Sequence, residues 1–150
     1  MNDMTIRTDR KTWMSVLAKA PAQRLAQLWD AAGYAPEHSF LRAPERGAVM
    51  VRGRTGATGA PFNLGEMTVT RCAVKLADGA VGHGYVQGRD KAKAVTAALV
   101  DALMQTDQAE AVHAAILSPL MAEAQMAAEA KAAKAAATKV EFFTLVRGED

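Results

Sequence analysis

Two arginines beside a glycine-rich segment are the first residues in this sequence suited to bind an anion. Arg52 and Arg54 are separated by a single residue, so a strand would direct both side chains to one face, next to the segment at 55–61. Guanidinium groups and exposed backbone N–H groups are fixed donors for phosphate or phosphonate oxygens. The glycines lack the Gly-Lys-Ser/Thr ending of a P-loop, so the alternative is a solvated strand face with a flexible loop.

The single cysteine, Cys72, is the candidate for covalent chemistry. A thiolate nucleophile needs a nearby base or a positive field, and the expected strand pairing places Cys72 beside Tyr85 and one residue pair from His83. Buried cysteine ordinarily packs as a small apolar side chain. We therefore interpret these three residues as a structural cluster, with a catalytic thiolate as the alternative, and no catalytic residue is assigned.

Metal and iron–sulfur chemistry is not expected from this chain. One cysteine excludes an internal disulfide and a cysteine-rich cluster. The three histidines fall on separate predicted elements and lack the spacing of metal ligands. The sequence therefore predicts no metal site.

The elements that must position these residues begin with two helices. Apolar residues recur at helical spacing over 8–20, where Thr8 or Asp9 can cap the first turn. Pro21 suits the start of a second helix, and Gly33 suits its end. Residues 1–35 are therefore predicted to form a helical hairpin.

A period-two pattern over 39–88 predicts an antiparallel sheet. Pro44 to Gly47 is predicted to be a turn between strands at 40–43 and 48–54, and residues 66–76 are the strongest strand candidate.

The predicted hairpin after that strand fixes which residues share a sheet face. Asp78-Gly79 predicts a two-residue loop, whose register pairs Cys72 with Tyr85. Gly82 and Gly84 then leave room for a helix, a ligand or another backbone. A slip of one residue would exchange the two faces.

The rest of the chain is predicted to be helical up to its last segment. Residues 89–137 contain an amphipathic helix, a break or kink at Ser118-Pro119 where Ser118 caps a new helix from Pro119, and an exposed alanine-rich arm at 122–137. Residues 138–150 are predicted to be a strand-like interaction tail, which returns to its own sheet edge or extends a partner's sheet. Its candidate interface residues are Phe142, Phe143, Leu145 and Arg147.

Composition bounds the class of protein. A length of 150 residues predicts one domain, here of the α+β class. Alanine accounts for 33 residues, which leaves a thin core that a partner would complete. Lysine and arginine outnumber acidic residues 14 to 8 in residues 1–93 and are outnumbered 4 to 8 in residues 94–150. No apolar run spans a membrane and the N-terminus lacks a signal-peptide core, so we expect a cytoplasmic protein.

Several long motifs resemble one family. The sequence resembles PhnG, a small subunit of the bacterial carbon–phosphorus lyase system. The resemblance covers nearly the whole chain and is carried by TWMSVLA at 12–18, LRAPE at 41–45, GAVMVRGR at 47–54, GAPFNLGEMTVTRC at 59–72, GHGYVQGRD at 82–90 and FFTLVRG at 142–148.

The resemblance implies a place in a multi-subunit enzyme. It implies a core complex with PhnH, PhnI and PhnJ subunits, assembled as a two-fold dimer of heterotetramers. The implied reaction joins an alkylphosphonate to ATP and displaces adenine from the ribose C1 carbon, giving alpha-D-ribose 1-alkylphosphonate 5-triphosphate. ATP with Mg would be a substrate of the complex, and the iron–sulfur cluster and S-adenosylmethionine would belong to PhnJ. This chain would bind no cofactor alone and would serve as a subunit of a transferase complex without independent catalytic activity.

That reaction would bring a dianionic phosphonate close to a triphosphate, so cationic groups must offset the repulsion and align the nucleophile. We expect the chain to organise a partner's active site or lend arginines to it. The alternative is a purely structural subunit without ligand contacts. The candidate arginines are Arg52, Arg54, Arg71 and Arg89.

An independent nucleotide- or RNA-binding role would need exposed aromatic side chains beside those arginines. The predicted burial of Tyr85 argues against that role. No nucleic acid and no membrane is therefore expected among the partners.

Overall fold

The computed structural model describes residues 9–54, 59 and 61–148. In this part of the chain the order of elements is α1 (Arg10–Lys19), α2 (Ala22–Ala32), β1 (His38–Arg54), β2 (Pro61–Leu76), β3 (Val81–Gln87), α3 (Lys91–Leu103), α4 (Ala109–Val112), a π-helical turn (His113–Leu117) and α5 (Ser118–Gly148). The strands form one antiparallel sheet in the order β1-β2-β3. The predicted α+β class is confirmed.

Capping residues fix the ends of the two N-terminal helices. The Asp9 carboxylate accepts a hydrogen bond from the Thr12 N–H at 2.8 Å, and hydrogen bonding by the Thr12 side chain, together with this N–H, lowers the pKa of Asp9. Helix α1 ends before Pro21, and α2 ends at Gly33 in the left-handed conformation (φ 74°). Such ends satisfy backbone groups that have no partner inside the helix. The predicted cap at Asp9 and the predicted end at Gly33 are confirmed, whereas α1 spans Arg10–Lys19 and the predicted start at residue 8 lies outside the described residues.

Helix α3 packs on one face of the sheet, which we call the inner face, at very short range. A Cβ atom added to Gly82 would overlap the carbonyl oxygen of Ala98, and one added to Gly84 would overlap that of Ala94. The predicted close approach at these two glycines is confirmed, and the approaching element is a helix.

The hairpin between β2 and β3 has a three-residue loop, so the predicted two-residue loop is wrong. The Leu76 N–H donates to the Ala80 carbonyl at 2.8 Å, and Gly79 takes a positive φ of 96°. A three-residue loop with glycine in the left-handed region is a common alternative to the two-residue turn. It shifts the register of β3 by one residue.

This shift exchanges the two faces of β3. Cys72 lies opposite Gly84 on the inner face, whereas Arg71 lies opposite Tyr85 on the outer face. His83 and Tyr85 are exposed, while Cys72 is buried. The predicted cluster of Cys72, His83 and Tyr85 is therefore wrong, because neighbouring positions of a strand point to opposite faces.

Strand β1 continues through the predicted turn at Pro44–Gly47. Its pairing with β2 shifts between Phe40 and Arg42 and again before Glu45, so the extra residues form bulges and not a turn. Pro44 is tolerated there because β1 is an edge strand, where a missing N–H is acceptable.

Strands β1 and β2 extend beyond β3 as a two-stranded ribbon, residues 48–54 and 61–68. Strand β3 pairs only with Val69–Lys75 of β2, whereas β1 pairs with β2 as far as Pro61. The ribbon therefore projects from the body of the sheet.

The C-terminal part is helical from Ala109 to Gly148, with a π-helical turn between α4 and α5. The predicted cap is wrong, because Ser118 is in a helical conformation, and α5 begins at Ser118 directly after the π-helical turn. Helix α5 continues to Gly148, so the predicted strand-like tail is also wrong. The predicted exposed alanine-rich arm at 122–137 is confirmed.

Candidate functional surface

The three candidate arginines whose side chains the structure describes do not converge on one face. Arg71 lies on the outer face of β2, opposite Glu45 of β1. Pairing is regular from Glu45 to Val51, so Arg52 points to the opposite side of the ribbon. Arg89 is exposed between β3 and α3. The side chain of Arg54 and the segments 55–58 and 60 lie outside the described residues.

An ion-paired group occupies the outer face around Arg71. Glu45 Oε1 lies 2.6 Å from Arg42 Nη1 and 3.3 Å from Arg71 Nη2. All three side chains are about half exposed, so these pairs contribute at most about 1 kcal/mol each. Arg71 would have to exchange this partner in order to hold an anion.

Arg46 is a basic residue that the sequence analysis missed. Its Nε donates to the Arg89 carbonyl at 3.0 Å, and it lies on the same side of β1 as Arg52. The alternation of Arg46, Ala48, Met50 and Arg52 carries this signal in the sequence, but only if β1 runs straight through the predicted turn.

Tyr85 differs most from its expected position. The residue is 43% exposed and lies directly opposite Arg71 on the outer face. The predicted burial of Tyr85 argued against base stacking beside an arginine. Because Tyr85 is exposed, that argument no longer holds. A tyrosine and an arginine on one sheet face can supply stacking and cationic contacts to a nucleobase or a nucleotide.

Cys72 is unsuited to nucleophilic catalysis. Only 2% of the residue is exposed, and burial raises the pKa of the thiol. A raised pKa lowers the thiolate fraction at neutral pH. Among the residues that the structure describes, no three His, Cys, Asp or Glu side chains form a group suited to hold a metal ion.

The buried carboxylate of Asp101 on α3 is a second feature that the sequence analysis missed. It accepts hydrogen bonds from Arg10 Nη2, Trp13 Nε1 and the His83 N–H, each at 2.8 Å, and from Arg10 Nε at 3.1 Å. These donors come from α1 and β3, so Asp101 ties both elements to α3. The signal in the sequence is an acid between Val100 and Ala102 in an otherwise apolar segment.

Apolar side chains are exposed on both projecting parts of the chain. Single exposed apolar residues are ordinary, but contiguous ones mark interaction surfaces. Those on the ribbon are Met50, Val51, Phe62 and Leu64, and those on α5 are Met126, Val140 and Phe142. The side chains of Phe143, Leu145 and Arg147 lie outside the described residues.

An apolar groove of about 420 Å³ lies between α1 and the start of α5. Val16, Pro21, Leu120 and Ala124 line it, and Lys19 and Glu123 also contribute to its wall. None of the candidate arginines lines this groove.

These features define an α+β protein that presents arginines and apolar side chains on exposed surfaces. No helix in the described ranges is long and apolar enough to cross a bilayer. Residues 8–148 match the model of the family described as phosphonate metabolism protein PhnG. The chain belongs to this family, as the sequence motifs predicted.

A curated relative agrees with this assignment. The chain is 48% identical over 141 residues to alpha-D-ribose 1-methylphosphonate 5-triphosphate synthase subunit PhnG of Rhizobium meliloti (strain 1021). The aligned region covers 94% of this chain and 90% of the relative.

Proposed function

We propose that this chain is a subunit of an alpha-D-ribose 1-methylphosphonate 5-triphosphate synthase and serves phosphonate catabolism. The observation that carries the proposal is the 48% identity to a subunit of that name over most of both chains. Exposed apolar side chains on the ribbon and on α5 support assembly with other subunits. The proposed partners are PhnH, PhnI and PhnJ, in a two-fold dimer of heterotetramers.

The proposed role is to support a partner's active site in the non-radical step. In that step a phosphonate oxygen bonds to the ribose C1 carbon of ATP, and the bond from C1 to adenine breaks. ATP with Mg is a substrate of the complex, while the iron–sulfur cluster and S-adenosylmethionine belong to the radical subunit. This chain contributes surface and charge, because burial makes Cys72, its only thiol, a poor nucleophile.

Arg52 and Arg89 are better placed than Arg71 to meet the anionic substrate. Both are exposed, and within the described residues neither guanidinium has an acidic partner. Arg71, in contrast, is paired with Glu45. A positioned cation is most effective where negative charges are brought together, as when a phosphonate approaches a triphosphate.

The experiment is to tag the chain in its native host during growth on methylphosphonate. We expect the three partner subunits in stoichiometric amounts, and the purified complex should release adenine from ATP only when a phosphonate is present. Recovery of the chain alone would contradict the proposed function.

Two substitutions then test the arginines in the assembled complex. Arg52→Ala and Arg89→Ala should each lower phosphonate-dependent adenine release at least about tenfold, the effect of losing about 1.4 kcal/mol of transition-state stabilisation. The matched control is Arg24→Ala, which removes an exposed arginine paired with Glu123 on another surface. Equal rates in all three intact complexes would favour the alternative, a purely structural subunit.

The exposed Tyr85 supports a second candidate role, direct contact with the nucleotide through the outer sheet face. Tyr85→Ala would then raise the KM for ATP, and Tyr85→Phe would preserve it because the ring remains. An unchanged KM in both variants would remove the outer face from the nucleotide site.

A further inference from the structure

The two edges of the sheet differ in how their backbone groups are satisfied. On β3, the His83 N–H donates to Asp101 Oδ2 and the Val81 carbonyl accepts from Gln105 Nε2, both at 2.8 Å. These bonds cover that edge with side chains of α3 and the residues that follow it. Over 46–50 of β1, no backbone hydrogen bond to a further described element covers the opposite edge. Open edges of this kind can pair with another strand.

The hydrogen bonds of β2 show which groups of β1 face outward. Leu76 and Thr68 of β2 bond to the segment containing β3, through Ala80 and Gly88. In an antiparallel ladder successive residues bond to alternate sides, so odd-numbered residues of β2 bond to β1. Their partners in β1 are Glu45, Gly47, Val49 and Val51. The intervening residues, Arg46, Ala48 and Met50, therefore direct their N–H and C=O groups away from the sheet.

The side chains of the outward-bonding residues determine what kind of strand would fit. Arg46, Ala48, Met50 and Arg52 alternate along one side of β1 and are all exposed. An incoming strand would place its own alternate side chains beside them. An acidic residue opposite Arg46 and an apolar residue opposite Met50 would complement residues 46–50, because opposite charges directly across a ladder stabilise pairing.

A second copy of this chain is a poor occupant. Any antiparallel pairing of two β1 edges would bring Arg46 and Arg52 of both copies onto one side of the new ladder. The sequence 46–54 contains no acidic residue to separate them. Like charges on facing strands destabilise pairing, so these arginines oppose self-association.

We propose that the open edge of β1 at residues 46–50 receives an extended, acidic segment of a partner subunit, which adds a fourth strand to the sheet. The identity of that partner as a subunit of the synthase rests on the proposed function. Main-chain hydrogen bonds supply affinity in this mode of recognition, and alternate side chains supply specificity. The proposed interface therefore depends on backbone hydrogen bonds as much as on side-chain contacts.

The decisive variant is Ala48→Pro, with Ala48→Ser as its matched control. Proline is tolerated on an edge strand where its N–H would face outward, but it removes the central donor and its ring obstructs the incoming backbone. We expect Ala48→Pro to reduce recovery of partner subunits on the tagged chain at least about tenfold, which corresponds to the loss of one or two hydrogen bonds. Ala48→Ser keeps the N–H and should recover them as the wild type does.

The charge requirement has its own test. The variant Arg46→Glu should lose partner recovery to a similar extent, whereas Arg24→Glu on a distant surface should not. Equal recovery by Ala48→Pro and Ala48→Ser would overturn the edge proposal while leaving the proposed function intact. Failure of the wild-type chain to recover any partner would instead contradict the proposed function.

Hydrogen exchange of the wild-type chain keeps the inference testable if Ala48→Pro does not fold. Amides of Arg46, Ala48 and Met50 should exchange at least about tenfold more slowly in the complex than in the free chain, because exchange requires opening of the new ladder. Unchanged exchange at all three would overturn the proposal. Self-pairing of the free chain through 46–50, detected as a dimer with the same protection, would also overturn it.

Discussion

The region around α3 and the two projecting parts of the chain use their side chains differently. Around α3, Val100 and Asp101 are fully buried, and the carboxylate is completely hydrogen-bonded. On the ribbon and on α5, large side chains such as Leu64 and Met126 are more than 60% exposed. Burial and satisfied polar groups provide the stability of a fold. The comparison teaches that the α3 region holds the chain folded, while the projecting parts remain available for contacts.

The largest expected effect on stability comes from removing the buried carboxylate. Asp101→Ala leaves the Trp13 Nε1–H and the His83 backbone N–H without an acceptor, so the free energy of unfolding should fall by about 2–5 kcal/mol. Urea denaturation followed by circular dichroism measures this loss.

The control removes an acid from the projecting helix. Glu123 on α5 forms an exposed ion pair with Arg24 on α2, so Glu123→Ala should leave the free energy of unfolding close to that of the wild type. If both variants lost the same stability, the proposed division between the two regions would be wrong.

A smaller loss is expected from filling the contact between sheet and helix. Gly82→Ala places a Cβ against the backbone of α3, which must shift, and should lower the free energy of unfolding by about 1–3 kcal/mol. Thermal or urea unfolding of the full chain provides the measurement.

Gly47→Ala is its counterpart at the base of the ribbon. The added Cβ would lie 3.7 Å from Arg71 Nη2, an ordinary contact, so we expect a change within about 0.5 kcal/mol. Wild-type stability of Gly82→Ala would show that α3 does not lie as close to the sheet as described.

The smallest effect concerns thiol reactivity, which we compare between Cys72 in the core and a cysteine introduced on α5. Burial raises the pKa of Cys72, so its thiolate fraction is lower than that of an exposed cysteine at any pH below that pKa. Alkylation of the native wild-type chain should therefore be slow and should accelerate only on unfolding or at more alkaline pH.

A cysteine on the arm provides the reference for that measurement. In Cys72→Ala/Val140→Cys the new thiol replaces a side chain that is 64% exposed, and it should react in the native state at the rate of a model thiol. Equal native-state rates for the two positions would contradict the burial of Cys72.

Helix ends in the first third of the chain were predictable because their causes are local. Asp9 caps α1 through its own side chain, and Pro21 and Gly33 act through their backbone restrictions. The hairpin at Asp78-Gly79 was also predictable, but its register was not. The same dipeptide fits a two-residue and a three-residue loop, and the choice decides whether Cys72 or Arg71 faces Tyr85.

Sequence patterns failed where longer-range cooperation outweighs local preference. The β-branched and aromatic residues from Val140 onward favour a strand by propensity, yet they continue α5 because extending an existing helix costs less than starting another element. At Pro44, the strand continues because β1 lies at the sheet edge, where a proline without an N–H is tolerated. These two errors had different consequences, because the second one also concealed Arg46.

The candidate surface was predictable in composition but not in arrangement. Basic residues of β1 and β2 were identified from spacing, but their distribution over two faces depends on the register and on the bulges. The role of Asp101 depends on three donors from two other elements, which no local pattern in α3 could reveal.

The π-helical turn at His113–Leu117 determines how the side chains of α5 are oriented around the helix axis. Each residue of an α-helix advances the chain by about 100° around the axis, so a turn that holds one extra residue changes the direction in which every later side chain points. Deleting a single residue within 113–117 would let an ordinary helix form and would turn Met126 and Val140 by roughly a quarter of a circle or slightly more relative to the sheet. The orientation of the whole arm therefore depends on the length of five residues at its base.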